Sequence, residues 1–166
     1  SIYRFDPAQP NAVPPQIHFA YADQAEFPPR RHDDYNWDCE AMVWRDGHLY
    51  LFSRDRGRSR TCRIHRLPDR PTPPDQPALA EYIGEYDLPG QVTDAALAPD
   101  GHTLALLSKE QVFFISITPD SLLDGEVRVY PLPGVTHAEG LVYVDDHTLA
   151  ITTERGGMYR LELPAE

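Results

Sequence analysis

The sequence predicts an all-β fold built from repeated four-stranded sheets, on three observations. Short apolar or alternating runs recur along the whole chain, bounded by Pro, Gly, Asp or Asn. Proline supplies 17 of the 166 residues, about twice the usual ~5% share, which favours turns and stiff connections over long helices. Finally, DCEAMVWRDGHLYLFS (38–53), VTDAALAPDGHTLALLS (92–108) and HAEGLVYVDDHTLAITT (137–153) share one pattern.

Taken in order, strands are expected at 1–5 (SIYRF) and 16–22 (QIHFAYA), separated by a proline-rich turn. A polar loop over 23–36 comes next, long against the usual ~4–6 residues. Strands at 37–44 and 48–53 form a hairpin around Arg45-Asp46-Gly47. A second long loop, RDRGRSRT (54–61), leads to a strand at 62–67. The proline-rich connection 68–77 precedes a strand at 81–88. Residues 91–118 carry three strands, 92–98, 102–108 and 112–117, with a turn at Pro99-Asp100-Gly101. A strand at 126–132 completes that unit; segment 119–125 holds at most one helical turn. Strands at 136–144, 147–153 and 158–163 end the chain. HLYLFS and VFFISI are apolar on both faces, as in a sheet packed between two others.

Aligned without a gap from the acidic residue, the repeats put Glu40, Asp94 and Glu139 in one column and His48, His102 and His147 in another. The acids are 54 and 45 positions apart. Four strands per unit at a period of ~40–50 residues is the pattern of a β-propeller blade. The chain is read as one partial propeller domain over 1–166 of about three and a quarter blades. Its parts are strands c and d of a first blade (1–22), blades at 36–88 and 91–132, and a last blade at 135–163 lacking its outer strand. Such an incomplete ring leaves sheet edges and faces open. The expected partner is the remainder of the same propeller or a second chain completing the ring. The absence of an initial Met at Ser1 points to a processed or truncated N-terminus.

Thr93-Asp94-Ala95-Ala96-Leu97-Ala98-Pro99-Asp100-Gly101 resembles the inner strand and turn of TolB-like six-bladed β-propellers. His137-Ala138-Glu139-Gly140-Leu141-Val142 resembles the glutamate-glycine inner strand of gluconolactonase-like and strictosidine-synthase-like propellers. The resemblance covers roughly residues 36–163. It implies a divalent cation, Ca²⁺, in the central channel, held by Glu139 with Glu40 and Asp94, and a periplasmic or extracellular setting.

The balance of 15 basic and 26 acidic residues gives a net charge of −11. That disfavours nonspecific nucleic-acid binding and anionic membrane surfaces. No apolar run approaches the ~20 residues of a membrane helix. The sequence contains no GxSxG elbow, HExxH, CxxC pair, P-loop or dinucleotide glycine fingerprint, so an enzyme here would depend on carboxylates or a metal.

In a propeller the starts of the inner strands share one end with the second-to-third strand loops. That end is expected to carry Glu40, Asp94 and Glu139, the loop residues His32, Asp33, Asp34 and Asp38, and Arg54, Asp55, Arg56, Lys109, Glu110, His137, Glu154 and Arg155. Converging carboxylates need a cation, a proton or arginine partners, and hard oxygen ligands suit Ca²⁺ or Mg²⁺. The competing reading has the acids accept neighbouring backbone amides and serve only to order the sheets. His137 is either a base or ligand, or a surface residue; His48, His102 and His147 read as turn residues. Arg54, Arg56, Arg58, Arg60, Arg63, Arg66 and Arg70 form the one locally basic region, a solvated loop or an anion site. Cys39 and Cys62 fall on strands separated by a third, ~9.6 Å apart, beyond disulfide reach. These features support a ligand- or protein-binding module with an acidic channel mouth. The alternatives are a metal-dependent lactone or ester hydrolase and a structural interaction scaffold.

Overall fold

A computed structural model describes residues 1–31, 35–57 and 60–163. His32, Asp33, Asp34 and Arg58 therefore lie outside the described residues. The described chain is all-β, with 14 strands and no helix. These are β1 (Ile2–Tyr3), β2 (Gln16–Ile17), β3 (Phe19–Tyr21), β4 (Asp38–Arg45), β5 (His48–Arg54), β6 (Thr61–Pro68) and β7 (Ala78–Asp87). They continue as β8 (Val92–Leu97), β9 (Thr103–Ser108), β10 (Gln111–Ser116), β11 (Val127–Pro131), β12 (Ala138–Asp145), β13 (Thr148–Thr153) and β14 (Met158–Glu162).

They form four sheets. Strands β1 and β2 pair alone; a first large sheet has the order β3-β7-β6-β5-β4, a second β11-β10-β9-β8, and a third β12-β13-β14. Each large sheet contains an antiparallel meander, β4 to β7, β8 to β11 or β12 to β14, whose first strand lies at an edge. The tight β4–β5 turn uses Asp46 (φ 49°) and Gly47 (φ 76°), the two left-handed residues of a type I′ hairpin.

The N-terminal segment departs from the expected pair of strands. Residues 1–5 and 16–22 do meet antiparallel, as Ile2↔Ile17 and Tyr3↔Gln16, but the pairing stops at His18. There Thr72 intervenes: its Oγ1 accepts the His18 N–H at 2.7 Å and donates to the His18 carbonyl at 2.8 Å. The chain then runs on as β3, parallel to β7, and gives the first large sheet a fifth strand.

Alternation decides how the sheets stack. On β9, Leu104 and Leu106 enter one core while Ala105 and Leu107 enter another. On β10, Phe113 and Ile115 share the first core, Val112 and Phe114 the second. The second sheet is thus buried on both faces, as the unbroken apolar runs predict. Its first core joins Ala41, Val43, Phe52 and Ile64 of the first sheet, and its second joins Leu141, Leu149 and Ile151 of the third. Each fully buried Leu, Ile or Phe contributes on the order of 1.5–3 kcal/mol, so these two cores hold the stack. The edge strands β4, β8 and β12 lie side by side across it.

Candidate functional site

The starts of β4, β8 and β12 form one end of the stack, and each opens with the same irregularity. Pairing passes from Cys39↔Ser53 to Ala41↔Phe52, from Val92↔Ser108 to Asp94↔Leu107, and from Ala138↔Thr153 to Gly140↔Thr152. The residue left over in each bulge is Glu40, Thr93 or Glu139. Such a bulge re-aims side chains at a sheet edge. Glu40 and Glu139 are therefore equivalent, whereas Asp94 lies one residue further on, in the place of Ala41 and Gly140. The gapless alignment fails here because the β8–β9 connection is longer than the two-residue β4–β5 turn: Leu97 pairs with Leu104, but Arg45 pairs with His48.

That one-residue offset gives the acids different partners. Glu40 Oε1 receives Arg54 Nη1 at 3.3 Å and Arg56 Nη2 at 3.0 Å. Arg56 Nε also donates to Asp38 Oδ2. Arg54 Nε reaches Gln91 Oε1 at 3.4 Å, and Gln91 Nε2 donates to the Asp55 carbonyl at 2.8 Å, joining the first sheet to the start of the second. Asp94 instead accepts two amides, Ala95 N at 2.8 Å and Leu141 N at 2.6 Å. Burial raises its pKa above the ordinary carboxylate value, against the lowering effect of the Leu141 and Ala95 N–H groups. Thr93 Oγ1 donates to the Ala138 carbonyl at 2.9 Å. The carboxylates thus divide between arginine and backbone partners. Glu139 is half-buried in its bulge. Glu40 is thus engaged by two arginines and Asp94 by two backbone amides.

A second group sits at the start of the third sheet. His137 adopts a left-handed backbone (φ 56°), and its Nδ1 lies 3.8 Å from Glu154 Oε2. The Glu154 N–H donates to the His137 carbonyl at 3.0 Å, and the Ala138 N–H to the Lys109 carbonyl at 3.2 Å. Lys109 joins this group through its main chain, and Arg155 is exposed in the turn after β13. Asp38, Glu40, Arg54 and Arg56 are brought into direct contact, as are His137 and Glu154; Asp94 turns inward between sheets.

Further along the basic region, the arginines are dispersed. Arg63 lies over the Trp37 ring, 4.6 Å from its centroid, and 3.7 Å from Asp23. Arg66 pairs with Glu81 at 2.7 Å. Both cysteines are free, Cys39 exposed on β4 and Cys62 buried on β6, with β5 between them.

Neutral polar residues carry much of this end, and acidic patterning does not reveal them. Ser53, Ser108 and Thr153 occupy equivalent positions opposite Cys39, Val92 and Ala138. Each holds the connection to the next strand. Ser53 Oγ accepts the Arg63 N–H at 2.9 Å and donates to buried Asn36. Ser108 Oγ donates to the Gln111 carbonyl at 3.3 Å, and Thr153 Oγ1 accepts the Gly157 N–H at 3.0 Å. The three repeat strings do end in Ser, Ser and Thr; that hydroxyl aligns the second strands β5, β9 and β13, while the first strands match only with a gap in the connecting turn. No protein-family model matches the chain, and no curated protein matches it significantly.

Proposed function

We propose that the three large sheets are blades of a β-propeller and that the chain is a ligand- or protein-binding module. It works at the end where β4, β8 and β12 begin. The observation that carries this reading is the Asp38–Arg56–Glu40–Arg54 network. It places two cations and two carboxylates at a bulged edge, where rearranging a few exposed side chains frees donors and acceptors for a polar ligand. The neighbouring His137–Glu154 pair extends the same polar surface. The remaining blades, in this reading, come from further polypeptide that completes the ring.

The test is a thermal-shift screen against CaCl₂, sugar acids, dicarboxylates and nucleotides, repeated on Arg54→Gln, Glu139→Gln and the distant turn variant Asp100→Asn. A stabilising compound whose effect is lost in the first two variants and kept in the third supports the reading. Effects that ignore Arg54 and Glu139 overturn it.

A further inference from the structure

The bulge register also says which sheet faces correspond. Ala41 and Val43 of β4 are equivalent to Asp94 and Ala96 of β8 and to Gly140 and Val142 of β12. This covering face packs onto the next sheet twice, through Ala41, Val43 and Phe52 in the first sheet and Ala96, Ala105 and Leu107 in the second. The opposite face receives: Leu97, Leu104 and Leu106 accept the first sheet, and Leu141, Leu149 and Ile151 the second. In the first sheet the receiving face carries Met42, Trp44, Leu49, Leu51 and Leu67 by alternation.

Only the outer part of that face is covered. Ile2 of β1 and Ile17 of β2 pack on Leu49, Leu51 and Leu67. Over the inner strand, Met42 remains 41% and Trp44 57% exposed. A cleft of about 350 Å³ lies there, lined by Ile2, Tyr3, Met42, Trp44, Leu49 and Asp69. Asp69 Oδ2 accepts Trp44 Nε1 at 2.8 Å and fixes the indole in the cleft wall. Among the described residues β1 pairs only with β2, so its other backbone edge is open to a further strand.

We propose that this cleft is a docking site for an antiparallel β-hairpin of the same repeat. One strand of the hairpin adds to the open edge of β1, and small apolar residues at alternate positions cover Met42 and Trp44. The inference deepens the ring-completion reading above and rests on it. Its warrant is internal: in the second and third sheets the equivalent receiving face is covered by the preceding sheet, whose first two strands contribute Ala41, Val43 and Phe52 in one case and Ala96, Ala105 and Leu107 in the other. Two strands at ~4.8 Å spacing also match the two inner strands, β4 and β5, beneath the gap. Strand addition supplies backbone hydrogen bonds, and the alternating side chains supply selectivity.

The probe is a synthetic peptide with the sequence of residues 92–108, the β8–β9 hairpin, which contains no tryptophan. It is titrated into the 166-residue protein while tryptophan emission and hydrogen exchange are followed. The expected result is saturable binding, a blue shift and at least tenfold slower exchange at amides 2–5. All three should be lost in Met42→Asp, whose retained fold is checked by circular dichroism. Absence of saturable binding, unchanged exchange at 2–5, or binding that persists in Met42→Asp overturns the proposal. Peptide failure with an intact ligand shift at the working end counts against the hairpin alone; failure of both counts against the blade reading.

Discussion

Asp94 Oδ2 accepts the Leu141 amide at 2.6 Å, so one carboxylate joins the leading edge strand of the second sheet to that of the third. The same side chain holds the Ala95 amide through Oδ1. Leu141 is buried in the core between these sheets, where an amide without a partner costs about 1–3 kcal/mol. Asp94→Ala should lower stability by roughly that amount in urea unfolding and speed exchange at the Leu141 amide. Asp94→Asn keeps one acceptor oxygen and should lose less. Equal losses in both variants would show that the bond between sheets contributes little.

Glu40 and Arg54 make the more protected ion pair of the end network, with side chains 26% and 12% exposed. Arg56 and Asp38 are at 50% and 37%, so solvent screens them more. A double-mutant cycle on Glu40→Gln and Arg54→Gln should give a coupling of about 1 kcal/mol. The Asp38/Arg56 cycle should fall within about 0–1 kcal/mol. Raising salt should weaken the second more than the first.

His65 is buried on β6, with its Nε2 3.0 Å from Asp23 Oδ1 and the rings of Tyr21, Trp37 and Tyr82 around it. Burial lowers its pKa below the ordinary histidine value, outweighing the raising effect of Asp23, and nearby Arg63 lowers it further. The unfolded chain therefore binds a proton more readily at this site than the folded one. Stability from neutral His65 is present above about pH 6.5 and falls as pH drops through that value toward the folded pKa. Urea midpoints measured from pH 8 to pH 5 should decline less steeply in His65→Gln than in the parent protein. Parallel curves would remove His65 from the pH response.

Gly125 lies where a Cβ would meet the Ser116 carbonyl oxygen at 1.5 Å. The obstruction is backbone of the neighbouring strand, which cannot rotate away. Gly125→Ala should cost about 1–3 kcal/mol as overpacking and loosen the β10–β11 pairing. Thermal unfolding would measure it; an unchanged midpoint would mean that the turn after Leu123 shifts freely.

Cys39 is exposed and Cys62 is buried. Desolvation around each sulfur raises both thiol pKa values, that of Cys39 to about 11 although other atoms of the residue face solvent, so both react slowly as thiolates are scarce. Ellman's reagent at pH 8 should modify Cys39 alone in the folded protein and both thiols in denaturant. Rapid modification of both under native conditions would contradict the burial of Cys62.

Local sequence is enough to specify the strands, the turns and the two-faced burial of the second sheet. Leu104 to Leu107 and Val112 to Ile115 leave no polar side for water, so they require a sheet on each face. Asp46-Gly47 specifies its hairpin through local backbone preference. These are short-range or compositional effects, visible along a single strand. Other features arise only in three dimensions. The longer β8–β9 connection leaves the apolar pattern readable yet offsets the gapless match by one residue, so Asp94 looks equivalent to Glu40 along the chain and is not. Asp94 finds its partner Leu141 on another sheet, and Glu40 finds Arg54 and Arg56 across a hairpin. The choice of β3 to run beside β7 is equally non-local, set by Thr72 holding His18 from 54 positions away. Such pairings depend on register and on which backbone groups still need a partner, and both exist only once the sheets have formed.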